Sequence, residues 1–199
     1  TSELGRMDGD IALLVAASDA GSVPADYLLA MVHLHGMYDT EVDLAASRMC
    51  IVRAAAGGHA DAAFLAANMA HRGEDGFDVD HKLAVRLLGI AARHGHLDAL
   101  HALGTMHFRG LGVPRDHERA YQIYSAGAVR MHADCVRSLG AMFLQGLHVP
   151  ENKDVGMYYL DVARRIGIDA NAPAGAKLQI LRLAFEHRRG MFQQLAAHL

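Results

Sequence analysis

Gly95-His96-Leu97-Asp98-Ala99 occurs three times in variant form. Gly58-His59-Ala60-Asp61-Ala62 lies 37 residues earlier and Met131-His132-Ala133-Asp134-Cys135 lies 36 residues later. Self-similarity at a fixed period marks a repeat architecture. Around this seed the register holds. Twelve residues after each Asp comes a glycine, Gly73, Gly110 and Gly146, and six before it stand the small residues Ala67, Gly104 and Gly140. Ala84, Ala120 and Gly156 align next, followed seven residues on by Ala91, Gly127 and Ala163. The same spacing of 37 reaches backwards from Gly73 to Gly36, Ala62 to Ala25, Gly58 to Gly21 and Ala54 to Ala17.

Each unit reads as two helices. In the third, Asp98 to Arg109 forms helix A, with Ala99, Ala102, Leu103 and Met106 on one face. Gly110-Leu111-Gly112-Val113-Pro114 breaks it, and Asp116 is placed to cap helix B, which runs to about Val129 with Ala120, Ile123, Tyr124 and Gly127 inward. In the fourth, Gly146-Leu147-His148-Val149-Pro150 and Asp154 take the same roles. A helix pair of this length cannot bury its own apolar face, so neighbours must stack. Small residues at matching positions are where helix A crosses helix B.

The expected fold is therefore all-α, a right-handed α-solenoid of stacked helix-turn-helix repeats. The map is an orphan N-terminal helix within 1–22, expected near 8–20, then four pairs within 23–170 (about 24–58, 59–95, 96–131 and 132–167). A C-terminal capping helix or two follows over 171–199. The unpaired first helix reads as a cap or as the remnant of a preceding repeat. Composition agrees. Apolar residues make up 52% of the 199, Trp is absent and there are four prolines, which favours closely packed alanine-rich helices over strands.

Composition also narrows function. The net charge is -3 with basic residues scattered, so no clustered basic face for nucleic acid is expected. No apolar run reaches membrane-span length. The run Ile11 to Ala17 is short and follows Asp8 and Asp10, unlike the basic lead of a signal peptide. Two cysteines, Cys50 and Cys135, fall on helices of non-adjacent units, so a bridge is not expected. A reducing compartment is the expectation: the cytoplasm, or alternatively an organelle such as the mitochondrion after a targeting peptide is removed.

With these residues in place, the chain resembles the Sel-one-like repeat family, a relative of the tetratricopeptide repeat. The third unit carries the likeness through Ala99, Leu103-Gly104, Gly110-Leu111-Gly112-Val113, Asp116, Ala120 and Gly127, and the fourth through Leu139-Gly140, Gly146, Val149 and Ala163. The likeness covers roughly residues 20–170. His107, Ala70 and Phe143 stand at or beside the family's usual Tyr. The loops of the first two units, Met37 to Asp43 and Glu74 to Asp80, depart from Gly-x-Gly-Val and are individual enough to carry specific contacts. The resemblance implies a protein-binding scaffold. This chain lacks the paired cysteines of the family's disulfide-bearing branch.

Catalytic and metal chemistry find little support. The 14 histidines include His33-Leu34-His35 and His94-Gly95-His96, yet His59, His96 and His132 occupy one equivalent position at the turn into helix A. A position recurring over three units is a structural habit, whereas zinc needs three or four converging ligands. Glu74 to Asp80 lacks the bidentate Glu of a calcium loop. No serine sits in Gly-x-Ser-x-Gly, and Gly110-Leu111-Gly112 follows a helix, unlike a phosphate loop. No cofactor is expected. The expectation is a non-enzymatic scaffold or adaptor, or a subunit of a larger assembly. The alternative is a hydrolase or metal-dependent enzyme using the histidine-rich surfaces.

If helix A lines the concave side, its outward positions repeat in rows: Phe64, His101 and Arg137; Asn68 and Thr105; His71, Phe108 and Leu144; Arg72 and Arg109. Aromatic and Arg residues are enriched at interaction hot spots. These ten residues form the expected partner-binding face, suited to an acidic extended or helical segment. The competing reading packs them between adjacent units. The apolar Phe185, Met191, Phe192 and Leu195 give the C-terminal cap an alternative docking role.

Overall fold

The computed structural model describes residues 3–168. Among them are nine α-helices and no strand: α1 (Glu3–Asp19), α2 (Val23–His35), α3 (Leu44–Ala56), α4 (Ala60–Arg72), α5 (His81–Arg93), α6 (Leu97–Arg109), α7 (His117–Val129), α8 (Ala133–Gln145) and α9 (Lys153–Ile168). The all-α repeat fold expected from the period is the one observed. The first helix begins earlier than its apolar pattern. The segment 171–199, with Phe185, Met191, Phe192 and Leu195, lies outside the described residues.

The repeat is built from recurring end chemistry. Gly36, Gly73 and Gly146 end α2, α4 and α8 in the left-handed region, and their N–H groups donate to the carbonyls of Val32, Met69 and Met142. The next helix starts on an acceptor side chain. Asp43 accepts from Ala46 N at 2.9 Å, Asp80 from Leu83 N at 2.9 Å and Asp116 from Arg119 N at 2.8 Å. At α9 the acceptor is Asn152, bonded to Val155 N at 3.0 Å, and not Asp154. Asn152 lies 36 residues after Asp116, so the period itself points to it.

These capping residues also send their own N–H back to helix A. Asp43 donates to His33 O, Asp80 to Ala70 O, Asp116 to His107 O and Asn152 to Phe143 O, all at 2.8–2.9 Å. Each A–B loop is thus held at its exit by the same bond, and three of the four are held at their entry by the glycine N–H, whatever lies between.

Contacts divide the chain into two units, Thr1–Ala99 with Gly110–Pro114, and Leu100–Arg109 with Arg115–Leu199. In the first, α2 packs on α3, α3 on α4 and α4 on α5, with α1 against α2. Its core is alanine-rich: Ala62, Ala63, Ala66, Ala67 and Ala70 of α4 are all buried. A buried polar cluster joins three helices. Ser18 Oγ of α1 donates to Asp26 Oδ1 of α2 at 2.6 Å, and Arg53 of α3 donates to the same oxygen at 2.6 Å. The carboxylate is buried and the guanidinium half-exposed, so the charge is paired before it is shut away from water.

In the second unit α7 packs on α8 and α8 on α9 around Tyr121, Tyr124, Leu139, Met142, Phe143, Tyr159 and Val162. Phe143 and Tyr159 stack with centroids 5.6 Å apart. Burial holds the Tyr159 phenol pKa far above its ordinary value. Small residues mark helix crossings, as expected. A Cβ on Gly104 would stand 2.5 Å from the Tyr124 ring, and one on Gly156 2.6 Å from Leu144.

Candidate functional site

The histidine that recurs at the turn into helix A has two jobs. His59 Nδ1 accepts the Ala62 amide and His96 Nδ1 accepts the Ala99 amide, each at 3.2 Å, so each imidazole caps its helix. Its ring also stacks on the preceding unit. Tyr27 and His59 lie 4.3 Å apart at 22°, and Phe64 and His96 lie 4.2 Å apart at 30°. In the second unit the equivalent pair, His101 and His132, is looser at 6.2 Å, and His132 makes no side-chain capping bond.

This ladder bears on the helix-A row. Phe64 is half-buried under His96, and His101 sits 3.1 Å from Ser138 Oγ. Thr105 bonds the Tyr124 hydroxyl at 3.1 Å, Phe108 stacks on His117 at 4.9 Å, and Leu144 fills the space over Gly156. His71 Nδ1 meets His81 Nδ1 at 3.2 Å. Asn68 is half-buried, while Arg72, beside Glu74 at 3.6 Å, Arg109 and Arg137, paired with Asp134, are exposed. Within the first unit the structure gathers Phe64, Asn68, His71 and Arg72 on α4. Within the second it gathers His101, Thr105, Phe108 and Arg109 on α6 and Arg137 and Leu144 on α8. Each of the four aromatic rings in this row lies against another ring of its own unit, Phe64 and Phe108 stacked and His71 and His101 tilted.

An open apolar surface lies elsewhere in the first unit. A groove of about 860 Å³ runs along α3 and is lined by Val15 of α1, Leu29 of α2, Met49, Cys50 and Val52 of α3, and Phe77 and Leu83. Met49 is 65% exposed and Val52 44%. The sequence carries a signal for this. In register, Met49 stands where the next two units have Arg86 and Gln122 and the fourth has Tyr158, and Val52 where the three have Gly89, Ser125 and Asp161. Burial pushes the Cys50 thiol above its ordinary pKa, against the opposing pull of Arg53, which leaves it a weak nucleophile.

The second of the two individual loops borders this groove, and the first is tied to its wall by one backbone bond. Asp43 N–H returns to His33 O, beside the groove wall, and Asp78 and Asp80 line it directly. Arg48 Nη1 donates to Gly76 O at 2.7 Å, and a Cβ on Gly76 would lie 3.6 Å from Leu44 O. The exit of the first loop therefore lies against the second. The same contact recurs one unit on, where Gly112, at φ 72°, packs on the His81 carbonyl so closely that a Cβ would fall 2.3 Å from its oxygen. That accounts for the second glycine of Gly110-Leu111-Gly112: it lets consecutive loops stack backbone to backbone.

Among the described residues, no three His, Cys, Asp or Glu side chains gather to hold a metal, and no helix is long and apolar enough to cross a membrane. No curated protein matches the sequence. Solved structures that resemble the chain include the following two. One is c5321, a protective antigen of uropathogenic Escherichia coli strains displaying an SLR fold, with TM-score 0.72 and 23% identity over 79% of this chain and 33% of that one. The other is a Sel1 repeat protein from Oxalobacter formigenes, with TM-score 0.69 and 26% identity over 83% of this chain and 66% of that one. The chain thus spans about a third and just under two thirds of these relatives. The Sel1 repeat pattern matches residues 23–59, 60–96, 97–128 and 133–165, and by that match, which takes in most of its length, the chain belongs to the Sel1 repeat family.

Proposed function

We propose that this chain is a non-enzymatic scaffold that binds a partner protein, either as an adaptor or as a subunit of a larger assembly. The observation that carries this reading is the open apolar groove along α3, in a fold whose remaining large apolar side chains are mostly spent between helices. Sel1 repeat chains generally serve as interaction scaffolds, which supports the same reading. Exposed Arg109 and Arg137 of the second unit form a second proposed contact surface on its part of the helix-A row, and Arg72 is the exposed arginine of that row in the first unit.

Capture of partners on the immobilised chain, followed by their identification, tests the reading. A partner that binds in a defined ratio is the expected result. Its release by Phe108→Ala with Arg109→Ala would put the contact on the helix-A row. Its release by Met49→Arg with Val52→Ser would put it on the groove. Stoichiometric bound metal with hydrolytic turnover, and no partner, would overturn the scaffold reading.

A further inference from the structure

If the chain is a scaffold, the groove along α3 carries enough chemistry to describe its occupant. We propose that it holds an amphipathic helix of a partner protein whose polar face is basic, an assignment that rests on the scaffold reading.

The walls decide the shape of the ligand. Helices supply all of the regular structure that flanks the groove, so an extended peptide finds no strand edge to join, whereas a helix can lay an apolar face between α1, α3 and α5. Val15, Met49, Val52, Phe77 and Leu83 offer apolar contact, and the flexible Met49 adapts to side chains of different shape.

The rim decides the charge. The loops Met37 to Asp43 and Glu74 to Asp80 hold Asp39, Glu41, Asp43, Glu74, Asp75, Asp78 and Asp80 and no Lys or Arg. Without those seven, the chain has 15 acidic residues against 19 basic ones, so its acidity is concentrated in these two loops, and two of the seven, Asp78 and Asp80, line the groove. The two cations of the groove are turned to protein partners, Arg53 to Asp26 and Arg48 to the Gly76 carbonyl. Lys or Arg side chains on the ligand would meet an acidic border. Complementarity of this kind raises the association rate and selects the partner, and it weakens as salt rises.

Phage-displayed random peptides about 16 residues long, some four turns of helix, panned on the full chain test this directly. The expected winners carry apolar residues at helical spacing with Lys or Arg between them. A synthetic winner should lose about tenfold or more in affinity to Met49→Arg with Val52→Ser. These substitutions copy residues found at the equivalent positions of later units, so the fold tolerates them, and circular dichroism checks this. Asp75→Asn with Asp78→Asn should weaken binding severalfold at low salt and flatten its salt dependence.

Acidic winners, winners without helical spacing, or binding indifferent to both pairs of substitutions would overturn the proposal. So would a concentration-dependent dimer of the chain that Met49→Arg with Val52→Ser abolishes, since the groove would then hold a second copy. If panning yields no binder while the chain still captures a partner protein, the groove proposal falls and the scaffold reading stands. If neither binds, both fall.

Discussion

His59 shows how much one position can carry. Its Nδ1 caps α4 while its ring lies on Tyr27, so a single side chain starts one helix and ties it to the unit before. The two roles are separable. His59→Ala removes both, and a loss of about 1–3 kcal/mol is expected from the cap and the stacked pair together. His59→Asn keeps an acceptor at the N-cap and gives up the ring, so it should recover roughly half of that loss. Chemical denaturation of the three chains checks the order. If His59→Asn were no better than His59→Ala, the capping bond would contribute nothing. The period reveals that His59, His96 and His132 share a role. The partner of each ring is less legible, although Tyr27, Phe64 and His101 recur at the same period. A row of aromatic positions looks alike whether it faces a ligand or the next repeat. Here the distance to the following imidazole decides, and that depends on how the helices stack.

At the scale of elements, small residues set how closely helices approach. Gly127 of α7 faces Cys135 of α8, and a Cβ there would stand 2.3 Å from the sulfur and 2.9 Å from the Cys135 Cβ. Cys135 is wholly buried, so neither helix can yield by turning a side chain outward. Gly127→Ala gains helix propensity worth up to about 1 kcal/mol, but overpacking costs about 1–3 kcal/mol. Net destabilisation is expected. Cys135→Ala in the same chain should return part of it, because the sulfur goes and the close Cβ stays. Thermal melts of the single and double variants measure this, and a more stable Gly127→Ala would show that the helices separate freely. Helix crossings of this kind are readable from sequence, because close approach demands Gly or Ala at a repeating position. The groove is not, because a search for what recurs passes over what differs. Met49 and Val52 are informative where they depart from Arg86, Gln122, Gly89 and Ser125 in the two units that follow.

Across the whole molecule, the repeats supply a regular frame and the loops supply its individuality. The frame holds each A–B loop through the glycine that ends helix A, where one stands, and through the capping residue that returns its N–H to helix A. Between those points the first two units carry acidic loops, while the third carries Leu111-Gly112-Val113-Pro114-Arg115. In repeat folds stability is close to a sum of local and nearest-neighbour terms, so an exchange confined between the two points should stay local. Replacing residues 74–79 with the sequence of residues 111–115 keeps Gly73 and Asp80 and removes Glu74, Asp75 and Asp78. It also trades buried Phe77 for Val113, a loss of about 1 kcal/mol or somewhat more from the smaller side chain. Unfolding should remain cooperative, with Tm lowered by only a few degrees. Binding of a basic helical peptide should drop about tenfold or more, since Asp78 of the acidic border and the Phe77 wall of the groove are gone. Melting curves and peptide titrations on the same preparation separate the two effects. A collapsed fold would mean that the loop helps to build the frame, and undiminished binding would mean that specificity does not reside in it.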